Sequence, residues 1–131
     1  MSNIPEIDVL IIEDDPSSAA LLVHALQHAG LSTDAAGDVL EAKRLLKRGP
    51  YKVVVLDLLL PDGTGIDVLH FIKSGSIPRP RIIVTTAASD VSLLAQLDRS
   101  LVKHVTFKPL DIAEVVRTIR DLVRDSTRHR V

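Results

Sequence analysis

The sequence predicts an α/β fold: a five-stranded parallel sheet with helices on both faces. Three observations predict it. Short β-type segments, of strand rather than helix length, recur five times along the chain, most clearly in the apolar runs IDVLII, KVVVL and RIIV. A stretch with helical spacing follows each run. No linker or internal repeat interrupts the alternation, and strict β–α alternation is the pattern of a parallel sheet covered on both sides.

The first run, IDVLII from Ile7 to Ile12, has the length of a buried strand. Asp15-Pro16 supplies an N-cap and a first-turn proline. Leu21, Leu22, Ala25, Leu26 and Ala29 then recur at helical spacing, and Gly30 stops the helix. Leu31 to Ala35 reads as a weaker strand. Val39 to Arg48 sets Leu45 and Leu46 against Lys43, Arg44 and Lys47, and Gly49-Pro50 ends that helix. Lys52 to Leu56 (KVVVL) is the strongest strand signal. The Pro/Gly-rich stretch from Leu60 to Gly65 reads as a loop, Ile66 to Lys73 as a helix, and Ser74 to Pro80 as a second loop. Arg81 to Val84 (RIIV) is the fourth strand. Asp90 to Leu101 reads as a helix with Val91, Leu94, Ala95 and Leu97 inward. Val102 to Phe107 is the fifth strand. Asp111 to Arg124 is the last helix, with Ile112, Val115, Val116, Ile119 and Val123 as its apolar stripe. Right-handed crossovers leave few ways to connect these elements. Five strands imply a doubly wound, flavodoxin-like (βα)5 sheet in the order 2-1-3-4-5.

The 131 residues, 46% hydrophobic and 25% charged, fit one globular domain rather than a disordered chain. That domain is expected to span 1–131, with a core over 7–124 and a tail over 125–131. A formal net charge of -1 offers no broad basic field, so no nucleic-acid partner is expected. Arg117, Arg120, Arg124, Arg128 and Arg130 are offset by Asp111, Glu114, Asp121 and Asp125. The absence of cysteine excludes disulfides, thiolate zinc sites and a cysteine nucleophile. Met1 to Glu6 lacks the basic and apolar regions of a signal peptide. No apolar run approaches the roughly 20 residues of a membrane span. A soluble, cytoplasmic protein without membrane contact is the expectation.

In such folds the functional site lies beyond the carboxyl ends of the strands. There the chain places Glu13, Asp14 and Asp15 after strand one, Asp57 after strand three, Thr85 and Thr86 after strand four, and Lys108 after strand five. Glu13, Asp14 and Asp57 would crowd negative charge, which is costly unless a cation intervenes. An all-oxygen cluster suits Mg2+, which also neutralises phosphoryl oxygens. Asp57 would then be a nucleophile forming an acyl phosphate, Lys108 a point charge for a phosphate oxygen, and the Thr85 hydroxyl a donor to another. Asp15 reads as a helix cap rather than a ligand. His24 and His28 share a helix face, but zinc needs a third protein ligand and none is evident. Gly63 to Gly65 lacks the surroundings of a dinucleotide fingerprint and reads as a turn.

The runs VLIIEDDP, VVVLDLLLPDGTG, IIVTTA and FKP resemble the response-regulator receiver family of two-component signalling, in its single-domain chemotaxis-type form. The likeness covers about Ile7 to Arg124. It implies Mg2+ held by Glu13, Asp14, Asp57 and the backbone carbonyl of Leu59, with Asp57 as the phosphoacceptor. It also implies that Thr85 is the switch hydroxyl, that Lys108 contacts the phosphoryl group, and that Pro61 and Gly65 belong to the loop after the acceptor. By the same resemblance Lys108–Pro109 is a cis peptide, a histidine kinase or histidine phosphotransfer protein is the donor, and phosphorylation changes affinity for an unknown downstream protein, with a phosphorylation-dependent dimer as one form of output. The chain is thus expected to be a signalling switch with autophosphotransfer and autodephosphorylation chemistry, not an enzyme acting on a separate substrate.

Two positions depart from the family pattern. Val105 stands where an aromatic is common, three residues before the lysine, and Thr86 where a small residue is common. Thr85 is taken as the switch residue because it directly ends the apolar run. Leu59 and Ala87, two residues after the acceptor and the switch threonine, would flank the path of a hydrolytic water. Two alternatives stay open. A haloacid-dehalogenase-like phosphohydrolase also uses an Asp nucleophile and Mg2+, but Leu59 occupies the place of that family's second Asp and the length leaves no room for a cap domain. A degenerate receiver serving only as an interaction module would not need Glu13, Asp14, Asp57, Thr85 and Lys108 together.

Overall fold

The computed structural model describes residues 6–87 and 89–128. Five parallel strands form the main sheet: β1 (Ile7–Ile12), β2 (Thr33–Ala36), β3 (Tyr51–Asp57), β6 (Arg81–Thr86) and β7 (Val102–Phe107). A small antiparallel hairpin, β4 (Leu59–Leu60) with β5 (Gly63–Thr64), follows β3 directly. The main sheet runs β2-β1-β3-β6-β7, which is the expected 2-1-3-4-5 order once the hairpin is set aside. The helices are α1 (Pro16–His28), α2 (Val39–Arg48), α3 (Gly65–Lys73), α4 (Val91–Leu94) and α5 (Ile112–Arg128).

Side chains alternate across each strand, so the sheet divides two cores. Val9, Ile11, Val53, Val55 and Ile83 pack with Leu22 and Leu26 of α1 and with Val115, Ile119, Leu122 and Val123 of α5. Leu10, Ile12, Val54, Leu56, Ile82 and Val84 pack on the other face against α2, α3 and the segment holding Leu97 and Leu101. β1 and β3 therefore have both faces covered, and this is why they read as unbroken apolar runs.

Local chemistry starts and stops the helices. The Asp15 carboxylate accepts from the Ser18 N–H, Pro16 opens α1, and Gly30 takes φ 86° just past its end. Asp38 caps α2 by accepting from the Glu41 N–H at 2.7 Å. The outer strands are blunted: β2 has only four residues, and β7 carries a register shift that passes over Lys103.

Four expectations need correction. Leu21 does not join the stripe of α1; its side chain is 55% exposed. The stretch from Leu60 to Gly65 is not an open loop, because Leu60 pairs with Gly63 around a Pro61-Asp62 turn. Asp62 has no positive φ, and proline at the first central position suits a type I turn. The expected helix from Asp90 to Leu101 is one α-turn long, with Val91 and Ala95 outward and Leu97 buried. Beyond Ala95 the backbone tightens to i→i−3 bonds, and Asp98 then takes the Ser100 N–H and hydroxyl on its own carboxylate. Such local side-chain bonds compete with helix continuation. Finally, α5 does not stop at Arg124 but runs to Arg128, and it buries Leu122 along with Val115, Ile119 and Val123, while Ile112 and Val116 are only partly buried. The end of the expected tail, 129–131, lies outside the described residues.

Tyr51 gives the fold a spectroscopic handle, since it is the single tyrosine of the chain. Burial, then the 2.6 Å hydrogen bond it donates to Asp34 Oδ2, raises the phenol pKa well above its ordinary value. The unfolded chain would lose this proton near about pH 10 while the folded chain keeps it. The stabilisation is therefore complete below that pH and is lost as pH rises above it. Tyrosinate absorbance is expected to stay flat through about pH 10–11 and to rise only together with loss of helical circular dichroism. A simple titration near pH 10 with the helical signal intact would refute this.

Candidate functional site

Each main strand delivers its last residue to the same edge. β1 leads into Glu13 and Asp14, β3 ends on Asp57, β6 on Thr85 and Thr86, and β7 leads into Lys108. Asp57 pairs in register with Thr85, so both fall on the face toward α1 and α5, while Thr86 points to the opposite face. Thr85 and Thr86 are thereby distinguished. The Thr85 hydroxyl, though the residue is only 3% exposed, has no hydrogen-bond partner among the described residues; the Thr86 hydroxyl donates to Asp90 Oδ2 at 3.0 Å.

Glu13, Asp14 and Asp57 each bring a carboxylate oxygen to within 4.8 Å of the others. Asp57 and Glu13 are largely buried and Asp14 is exposed. The Lys108 ammonium sits between the two buried acids, donating at 2.8 Å to Glu13 Oε1 and at 2.8 Å to Asp57 Oδ2. Partial burial pulls the Lys108 pKa down, but the bonds to Asp57 and Glu13 outweigh it and raise the net value above that of ordinary lysine. The other oxygen of Asp57, Oδ1, accepts from the Leu59 N–H at 3.1 Å. The Asp57 carboxylate is thus held from two sides, by a fixed amide and by a cation.

A cavity of about 350 Å3 opens above Asp57, walled by Asp14, Leu59, Leu60, Pro61, Ala87, Asp90 and Lys108. Leu59 is half exposed at its rim. Gly65 allows the close approach behind it, because a Cβ there would lie 2.8 Å from the Asp57 carbonyl oxygen. The Lys108–Pro109 peptide is cis. Three carboxylates and one ammonium leave a formal charge of -2 in a small volume, and the donors are all oxygen. That donor set fits a hard divalent cation such as Mg2+.

Sequence reading did not single out Asp90 or Asp62. Asp90 stands at the N-cap position of α4, yet its carboxylate makes no cap bond and instead meets Thr86 at the cavity wall. Asp62 lies in the stretch expected to be a loop, and it accepts from the Val39 and Leu40 N–H groups of α2 at 2.7 and 3.0 Å. Both partnerships bridge elements, and no local pattern announces them. His24 and His28 stack on the exposed face of α1 with ring centroids 6.4 Å apart, and no acidic or third histidine ligand joins them among the described residues.

Residues 9–120 match a family model described as the response regulator receiver domain. Among curated relatives, the probable transcriptional regulatory protein TcrX of Mycobacterium tuberculosis is 36% identical over 118 residues, covering 90% of this chain and 50% of TcrX. The chain spans about half the length of that relative. The signal receiver domain of a putative LuxO repressor protein from Vibrio parahaemolyticus superposes with a TM-score of 0.84 at 24% identity, covering 95% of each chain. The receiver domain of the sensor histidine kinase PA1611 from Pseudomonas aeruginosa, solved with a magnesium ion in its active-site cleft, superposes with a TM-score of 0.78 at 22% identity, covering 91% of this chain and 98% of that one. These two structures share the fold.

Proposed function

The chain belongs to the response regulator receiver domain family of two-component systems, and from that premise we propose that Asp57 accepts a phosphoryl group from a phosphohistidine donor beside a bound Mg2+. The observation that carries the reading is the Lys108 ammonium held between Asp57 and Glu13, with Asp14 completing an acidic cluster at the carboxyl edge of the sheet. An Asp57 oxygen forms the new P–O bond as the P–N bond to the donor imidazole breaks, and the acyl phosphate remains on the chain. Glu13, Asp14, Asp57 and the Leu59 carbonyl would hold Mg2+, which when bound supplies charge neutralisation for the phosphoryl oxygens. Lys108 is placed to move from the Asp57 carboxylate to a phosphoryl oxygen. Thr85, on the same face and with an unengaged hydroxyl, is placed to follow it.

The resulting shift between two conformers would change affinity for a downstream protein. A histidine kinase or a histidine phosphotransfer protein is the donor in this reading, and the cytoplasm is its setting. The whole chain acts as one receiver unit, and dimerisation on phosphorylation is one form its output takes. The experiment is mass spectrometry after incubation with a small-molecule phosphodonor. A gain of one phosphoryl mass, dependent on Mg2+ and mapped to the peptide containing Asp57, is expected; a gain mapped elsewhere would overturn the assignment.

The cavity walls also bear on lifetime. Leu59 and Ala87 border the space over Asp57, and neither side chain can hydrogen-bond a water. Neither of these two positions can orient an attacking water, and such orientation speeds hydrolysis. The phosphoryl group is therefore expected to be long-lived. Leu59→Asn combined with Ala87→Glu is expected to speed its decay in Mg2+ by about tenfold or more, measured after donor removal; equal or slower decay would sink the idea.

A further inference from the structure

We infer that Asp62 is a positioning residue for the acceptor site: by gripping the N-terminus of α2 it holds the β4–β5 hairpin so that the Leu59 amide stays on the Asp57 carboxylate. The inference rests on the reading of Asp57 as phosphoacceptor and goes beyond it. Asp62 is at the tip of the hairpin, in the Pro61-Asp62 turn. Its two oxygens accept separately, Oδ1 from Val39 at 2.7 Å and Oδ2 from Leu40 at 3.0 Å. These are the first two N–H groups of α2, which have no partner inside their own helix. The negative carboxylate also meets the positive end of the helix dipole. The hydrogen bond from Val39, with that from Leu40, holds the Asp62 carboxyl below the ordinary carboxylate range.

The grip matters because the hairpin is so short. Each of its strands has two residues, and an isolated hairpin of that length has no stability of its own. Besides the burial of Leu60 in the core, two side-chain carboxylates tie it to the helices. The return strand is fastened to α3, where the Thr64 N–H donates to Asp67 Oδ2 at 2.9 Å. The tip is fastened to α2 by Asp62. Between them Leu59 presents its N–H to Asp57 Oδ1, and Leu59 also carries the carbonyl proposed as a metal ligand.

α2 supplies its own control. Asp38 caps the same helix from within, by accepting from the Glu41 N–H, and its side chain makes no hydrogen bond to the hairpin among the described residues. Asp62→Ala and Asp38→Ala should both lower the melting temperature by a few degrees, since each removes a helix cap worth about 1 kcal/mol. They should differ at the site. Asp62→Ala is expected to weaken Mg2+ binding, measured by calorimetry with the metal alone, by about tenfold, and to shift the Leu59 amide resonance in metal-free protein. Asp38→Ala should do neither, and Asp62→Asn, which keeps one acceptor oxygen, should recover part of the affinity. Unchanged Mg2+ affinity in Asp62→Ala, or equal weakening in Asp38→Ala, would overturn the inference while leaving the Asp57 reading intact. Failure of the native chain to bind Mg2+ would remove both.

Discussion

Asp57→Asn is expected to take up no phosphoryl group under conditions in which the native chain is fully converted. The substitution is nearly isosteric, so the buried position keeps its shape. An amide oxygen is a far weaker nucleophile than a carboxylate and cannot form the acyl phosphate. The native carboxylate accepts from the Leu59 N–H on one oxygen and from Lys108 on the other. Asparagine has one acceptor oxygen and a donating NH2, so it satisfies one of these two donors and turns its NH2 toward the other. Lys108 still keeps Glu13. The cost to stability should therefore stay at about 2 kcal/mol or less. Intact-mass spectra and thermal melts measured on the same sample separate the two effects. Persistent gain of a phosphoryl mass on the same peptide would refute the role of Asp57, and collapse of the fold would refute the structural part of the argument.

The second large effect is expected from Lys108→Ala. Its removal leaves Glu13 and Asp57, with side chains only 9% and 6% exposed, facing each other and Asp14 without a fixed cation. Breaking such a pair costs more than forming it gains, because buried charge is left uncompensated; about 2–4 kcal/mol is expected after allowing for the partial exposure of the lysine. Mg2+ should offset much of this, as the cluster then gains its only compensating charge. The rise in melting temperature on adding Mg2+ should thus be larger in Lys108→Ala than in the native chain. Phosphoryl uptake, or the chemical-shift change that follows it around Thr85, should be lost, since the phosphoryl oxygens lose their fixed partner. An equal Mg2+ response in the two proteins would contradict this account.

The main sheet was legible because burial on both faces writes itself into the sequence as unbroken runs such as Val53 to Leu56. The residues gathered at its carboxyl edge were legible for a related reason: strand ends follow from the runs, and the topology then fixes which ends meet. What escaped reading depends on side-chain bonds and packing that periodicity does not encode. The tie from Asp62 to α2 spans more than twenty positions, and nothing near Asp62 marks it. The Asp90–Leu101 stretch has helical spacing throughout, but Asp98 turns the backbone onto its own carboxylate and also pairs with Lys73. Leu21 fits the period of α1 but falls outside the arc that the sheet covers, since period alone does not say how wide that arc is.

The shape of the sheet's two outer strands bears on how copies of the chain can meet. An open strand edge offers unpaired N–H and C=O groups as a template for another chain, and unprotected edges invite continuous sheet growth and aggregation. Here one edge is the four-residue β2, with Asp34 in its middle, and the other is β7, whose bulge skips exposed Lys103. Short length, charge and a bulge are all devices that spoil such a template. Any self-association of the chain is therefore expected to run through side chains on its helices and loops rather than through pairing of these strands.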